Sequence, residues 1–190
     1  TASGGFLWDC AALIDDTVVE ALRKRGGVRA IAISHPHYYT TMVEWSRALG
    51  GVPIYLHAAD RQWVMRADPA VQFWEGDTKP IGRGLTLVRL GGHFDGGTVL
   101  HWADWGESRG VLLSGDILQV VPSGHVSFMW SYPNLIPLSA PKVQRMAAIL
   151  APFEFDAVYG AFSGRGQIDE NGKQVVAASV ERYIARISET

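Results

Sequence analysis

Two glycine pairs, Gly26-Gly27 and Gly50-Gly51, cut the opening of this sequence into repeating units. Each pair ends a stretch with apolar residues at helical spacing: Val18, Val19 and Leu22 before the first, Met42, Trp45 and Leu49 before the second. Each is followed by an apolar run of strand character, Val28 to Ser34 and then Pro53 to His57. Glycine stops a helix because it takes the left-handed conformation past the last turn without strain. Helix, stop and buried strand in succession demand a layered α/β architecture, since the apolar strands must be covered by the helices between them. Thr17-Val18-Val19-Glu20 and Thr41-Met42-Val43-Glu44 both match a capping box, which predicts helix starts at the two threonines. Phe6-Leu7-Trp8 is a further strand candidate and Ala58 to Met65 a further helix. Asp68 to Arg83 carries Trp74, Pro69, Pro80 and several charges, and reads as a loop with one helical turn.

From Leu85 the rhythm changes. Leu85 to Leu90, Thr98 to Ala103 and Val111 to Ser114 read as strands joined by short glycine-rich turns, and His125 to Trp130 as another. A helix marked by Val143, Met146, Ala147 and Leu150 follows, then a strand at Ala157 to Tyr159. The last helix has Val176, Val180, Tyr183, Ile184 and Ile187 on one face. The pattern predicts an α/β domain with a mixed sheet. At 190 residues, 47% apolar and 19% charged, it is expected to be one domain over 1–190 with a full core.

Composition also excludes functions. A formal charge of -2 gives no electrostatic case for a nucleic-acid partner, and Arg23-Lys24-Arg25 reads as a helix C-terminus favouring its dipole. One cysteine, Cys10, excludes a disulfide framework and a cysteine-rich zinc module; it reads as a small buried residue. No apolar run approaches the roughly 20 residues of a membrane helix, and no charged-then-apolar leader is visible. A cytoplasmic protein with neither membrane nor nucleic-acid partner is therefore expected. The sequence opens Thr1-Ala2-Ser3 without Met, so a missing or processed start is also expected.

Three stretches at predicted strand ends carry chemistry. His35-Pro36-His37 follows the Val28 to Ser34 strand, and residues two apart in extended chain project to the same side. Two imidazoles so placed can converge on one ion, or they are two polar loop histidines. Gly91-Gly92-His93-Phe94-Asp95-Gly96-Gly97 implies a tight turn holding His93 at the rim of a sheet. Ser114-Gly115-Asp116 ends an apolar strand with a carboxylate, which needs a metal, a backbone cap or an arginine as partner. Together the three supply three nitrogens and one oxygen, a donor set for a tetrahedral zinc-type ion.

In the order strand, H-x-H, helix, G-H-x-x-G-[ST] and then G-D after an apolar strand, the sequence resembles the metallo-β-lactamase superfamily. The matching residues are His35-Pro36-His37, Gly92 to Thr98 and Gly115-Asp116, within a likeness running from about Phe6 to the end. The resemblance implies an αβ/βα sandwich with mixed sheets and a metal site at one edge of the sheets. It also places further strands before Phe6-Leu7-Trp8-Asp9; their lack here leads to the expectation of a truncated or cleaved N-terminus. Members with two metals carry H-x-H-x-D-H, whereas here Tyr39 and Thr40 stand at the Asp and final His positions. In the late stretch Val158 to Gly164, Phe162 stands where a further family His would fall. The resemblance thus implies a mononuclear site of His35, His37 and His93 with Asp116, the second subsite being degenerate.

One divalent ion, zinc foremost with iron or manganese as alternatives, can activate water and polarise a carbonyl. Asp116 either completes the donor set or accepts the water's proton. Tyr39 either donates to a developing oxyanion or fills the vacated second site with its ring. Asp95 either orients His93 or is a solvated turn residue. His57 reads as a capping or surface residue, His101 as a satisfied structural one, and His125 precedes an aromatic-rich stretch that forms pocket wall or core. Trp8, Trp45, Trp63 and Trp74 read as core or interface. The expected function is a metal-dependent hydrolase of a small ester, thioester, lactone or related bond. The alternatives are a catalytically silent domain of the same fold binding a ligand or partner, and a redox iron site.

Overall fold

The computed structural model describes residues 4–162 and 166–188; Thr1-Ala2-Ser3 and Ser163-Gly164, used in reading the sequence, lie outside them. The chain divides into two compact units, Thr1–Glu75 and Gly76–Thr190.

In the first unit, strands β1 (Gly5–Trp8), β2 (Val28–Ala32), β3 (Ile54–His57) and β4 (Val71–Trp74) form a sheet in that order, every neighbouring pair parallel. Parallel neighbours need crossovers, supplied by helices α1 (Asp16–Lys24) and α2 (Met42–Ala48) and a short 3-10 segment, Ala58–Trp63. Both glycine pairs end their helices at positive φ, 99° and 75° for Gly26 and Gly27, 96° and 80° for Gly50 and Gly51. Ile31, Ile54 and Leu56 are fully buried in a cluster with Val19, Met42, Val43, Trp45, Tyr39 and Cys10. Burial, with the nearby Asp9 charge, pushes the Cys10 thiol up to about 12.

Both predicted capping boxes are corrected. The carboxylate of Asp15 caps α1, accepting from the backbone N–H groups of Thr17 and Val18 at 2.7 and 3.4 Å. That shift leaves Val18 exposed and only Val19 buried. Thr41 does stand at the N-cap of α2, but its hydroxyl donates to the Ala11 carbonyl at 2.8 Å instead. The predicted loop over Asp68 to Arg83 contains β4 and the start of the second unit's sheet.

That sheet has the order β14 (Gln167–Ile168), β13 (Ala157–Gly160), β8 (Val111–Gly115), β7 (Thr98–Trp102), β6 (Leu85–Arg89), β5 (Thr78–Gly82). Only β13 and β8 are parallel neighbours. The strand predicted over His125 to Trp130 is two short ones. β10 (Val126–Ser127) pairs with β9 (Gln119–Val120), and β11 (Met129–Ser131) with β12 (Ile136–Pro137). The break is made by Phe128, which is fully buried between them. Helices α3 (Ala140–Leu150) and α4 (Gly172–Ser188) pack Val143, Met146, Leu150, Val176 and Val180 into a cluster with Leu112, Leu118, Phe128 and Val158. No helix among the described residues is long and apolar enough to cross a membrane.

Candidate metal centre

The chain leaving β2 passes through Ser34 into His35, both buried, and then into a single 3-10 turn over Pro36–Tyr38. Proline at the first position of that turn fixes the bend. The bend brings His35 Nε2 to 3.1 Å from His37 Nδ1. That gap suits a hydrogen bond between the rings. It also suits two nitrogens on one tetrahedral ion, which at metal–nitrogen bonds of about 2.0–2.1 Å lie roughly 3.3 Å apart.

Which nitrogen of His35 carries its proton follows from the residues behind it. Asp9 ends β1 at φ 57°, a left-handed conformation that Asp and Asn tolerate better than most residues. Its carboxylate accepts from the Ser34 backbone N–H at 2.7 Å and from the Ser34 hydroxyl at 3.0 Å. The Ser34 oxygen, its proton committed to Asp9, then accepts from His35 Nδ1–H at 2.8 Å. His35 is thereby held with the lone pair on Nε2, the atom facing His37.

In the second unit, His93 follows β6 in the predicted glycine-rich turn. A Cβ on Gly97 would stand 2.8 Å from both the Gly91 carbonyl oxygen and Ile117 Cδ1, so the turn closes only around glycine. Gly92, at φ 92°, is likewise pressed against Leu138. His93 is buried, and its Nδ1–H donates to the backbone carbonyl of Trp130 at 2.9 Å, which again puts the lone pair on Nε2. Asp95 is exposed and contributes a backbone carbonyl to Arg89, so the solvated-turn reading fits and Trp130 does the orienting. Asp116 follows β8. The Tyr132 hydroxyl donates to the Asp116 backbone carbonyl at 2.5 Å, and the Tyr132 ring meets His93 edge-on at 5.2 Å. One aromatic residue therefore braces both His93 and Asp116.

Tyr39 lies in the apolar cluster of the first unit. Burial above all, then the charges of Asp60 and Asp9, pushes its phenol far above the ordinary tyrosine range. At neutral pH it is a protonated, packed ring. His57 caps the segment after β3, accepting from Ala59 N–H at 3.1 Å, and His101 is satisfied by the Glu154 carbonyl at 2.7 Å. Two positioning contacts escaped the sequence reading. Asp9 had a detectable signal, a carboxylate ending an apolar strand; the Trp130 contact uses a backbone carbonyl, which any residue type supplies.

No family model matches the chain. A curated relative, the uncharacterized protein YmaE of Bacillus subtilis strain 168, is 47% identical over 183 residues, covering 96% of this chain and 66% of that protein. The chain thus spans just under two thirds of that relative's length. Among solved structures, DIM-1 metallo-β-lactamase exposed to ceftazidime superposes with a TM-score of 0.70 at 15% identity, over 98% of this chain and 82% of that one. The metallo-β-lactamase FIM-1 from Pseudomonas aeruginosa, in its mono-zinc form, gives 0.66 at 16% identity, over 96% and 80%. An N-acyl homoserine lactone hydrolase with N-hexanoyl-L-homoserine at its catalytic metal centre gives 0.50 at 19%, over 72% and 58%. At such identities the likeness is one of architecture, and it answers the expectation drawn from the H-x-H, G-H and G-D motifs: this chain has the αβ/βα fold of the metallo-β-lactamases.

Proposed function

We propose that the protein is a metal-dependent hydrolase in which His35, His37, His93 and Asp116 hold one divalent ion, and that its substrate is a small molecule with an ester, thioester, lactone or related bond. The observation that carries this reading is the fixed pair of nitrogens, His35 Nε2 and His37 Nδ1, 3.1 Å apart with His35 locked in the ligating tautomer by Ser34. The donor group itself supports it, since three imidazoles and one carboxylate make a set that could hold a metal ion. The fold supports it further: the mono-zinc FIM-1 and the lactone hydrolase both carry metal on this architecture.

When bound, such an ion supplies a Lewis acid for a carbonyl oxygen and brings the pKa of a water towards about 7. The chain's own residues do the rest. Ser34 and the Trp130 carbonyl hold His35 and His93 in their tautomers. Tyr132 fixes the turn that presents Asp116, whose carboxylate is the acceptor for the water's proton or the fourth donor. Tyr39, buried and protonated, stands at the position where the two-metal sequence pattern has an acidic ligand. Its position, with Thr40 and Phe162, limits the site to one ion; the same three residues are what favour the second reading, a silent domain that binds without turnover.

Protein purified without chelator is expected to carry about one equivalent of zinc, manganese or iron and to turn over small esters, thioesters or lactones. Chelation should remove that turnover and metal should restore it. Elemental analysis giving no metal, with no gain on adding any of the three, overturns the reading.

Asp9→Asn tests the tautomer argument. The asparagine keeps the left-handed turn but places an NH2 against Ser34, whose hydroxyl must then donate to His35 Nδ1 and move the ring proton onto Nε2. Metal affinity, measured by competition with a chelating dye, is expected to weaken about 10- to 100-fold with little change in Tm. A fall in Tm with unchanged affinity would assign Asp9 a purely structural role.

A further inference from the structure

A cavity of about 410 Å³ opens beside the His35-Pro36-His37 bend, lined by Pro36, Tyr39, Met42, Val43, Trp63 and Met65. Three features define what it can take. Its lining is mostly apolar, with two methionines, which adapt to irregular chains, and an indole, while Thr40 and Arg66 are its polar members. It has a cation at its edge, Arg66, but that guanidinium is committed to Glu44 at 2.6–2.7 Å and holds the exposed carboxyl of Glu44 down to about 2. That charge is already partnered, so the mouth does not favour a carboxylate or phosphate. Finally, Tyr39 and Thr40, the two positions where the two-metal pattern puts Asp and His, are both cavity residues.

We infer that this cavity is the specificity subsite, and that it takes the uncharged alkyl or aryl group adjoining the scissile carbonyl. The inference rests on the hydrolase reading and narrows its substrate class. Tyr39 and Thr40, at the Asp and His positions of the two-metal pattern, are here cavity wall, and Pro36, which lies between His35 and His37 in sequence, belongs to the same wall. A carbonyl presented to those histidines leaves an attached chain next to Tyr39, Trp63 and Met65. The volume lies within the range of small-molecule sites, which anchor ligands by burying apolar surface. Trp63 and Met65 are exposed in the protein, 48% and 91%, so an entering chain covers apolar surface now facing water.

The test has two arms on the full chain. In the first, kcat/KM is measured on metal-loaded protein with 4-nitrophenyl acetate, butanoate and hexanoate. Selectivity is expected to rise about fourfold per added methylene, the ratio given by burying one CH2. Trp63→Ala with Met65→Ser is expected to cut the hexanoate-to-acetate ratio about tenfold or more. Leu13→Ala, an exposed apolar change outside the cavity, should leave the ratio alone. A flat ester series with turnover present overturns the subsite and leaves the hydrolase reading standing. The second arm needs no turnover. Hexanamide is titrated into protein carrying labelled methionine methyls, of which Met42 and Met65 line the cavity while Met129 and Met146 do not. Shifts confined to Met42 and Met65, weakened in the double variant, support the subsite even if no ester is hydrolysed. Unmoved Met42 and Met65 overturn it whatever the kinetics show.

Discussion

His37→Ala should lower bound metal from about one equivalent per chain to less than about a tenth and reduce turnover well beyond a hundredfold. The magnitude follows from comparison: disturbing a residue behind a metal ligand already costs about 10- to 100-fold, and removing a donor outright must exceed it. His37 is exposed, so its truncation opens no cavity and the fold should survive. Elemental analysis, circular dichroism and ester hydrolysis on one preparation separate the outcomes. Metal and turnover lost together, with the spectrum unchanged, support the four-donor site. Metal retained at wild-type affinity excludes His37 from it. A wild-type protein that binds metal yet turns over no ester, lactone or phosphodiester, while still binding a ligand, would favour the silent-domain reading.

The largest expected stability effect lies at Phe128. Its side chain is fully buried, its ring meets Tyr183 edge-on at 5.2 Å, and its carbonyl accepts from Tyr183 Oη–H at 2.6 Å and from Leu138 N–H at 3.1 Å. Phe128→Ala should destabilise by about 3–5 kcal/mol, because the surrounding cluster cannot collapse fully into the space left. With urea slopes of about 1–3 kcal/mol/M, the unfolding midpoint should fall by at least about 1 M. The same change should weaken metal binding, since Phe128 anchors the segment whose next-but-one carbonyl, that of Trp130, orients His93. Trp130→Ala is the contrast. That indole is half exposed and only its backbone holds His93, so stability should move by about 0.5 kcal/mol or less. Equal effects at the two positions would refute the anchoring argument.

Part of this fold is written plainly in the residues. Helix-spaced apolar residues and paired glycines located β2, α2 and β3, because burial and chain reversal leave direct marks on residue type. The candidate donors drew notice for a similar reason: imidazoles and a carboxylate at the ends of apolar strands are conspicuous there. β4 and β5 were not legible. Pro80 and the charges around them look like loop, yet both are sheet edges, where ladder hydrogen bonds on one side can be forgone. The Asp15 cap was hidden by a better-looking capping box that starts at Thr17, two residues on. Trp130 was hidden because its contribution is a peptide carbonyl, 37 residues distant from His93.

The sheet β1-β2-β3-β4 lists its strands in the order the ribosome makes them, whereas β8 and β13 must meet across more than 40 intervening residues. Short closures lose less chain entropy, so they zip faster. During synthesis the amino-terminal sheet can therefore assemble strand by strand as it emerges. The six-stranded one must wait for its late partner, and the stretch between β8 and β13 spends that interval as nascent chain most in need of protection from aggregation.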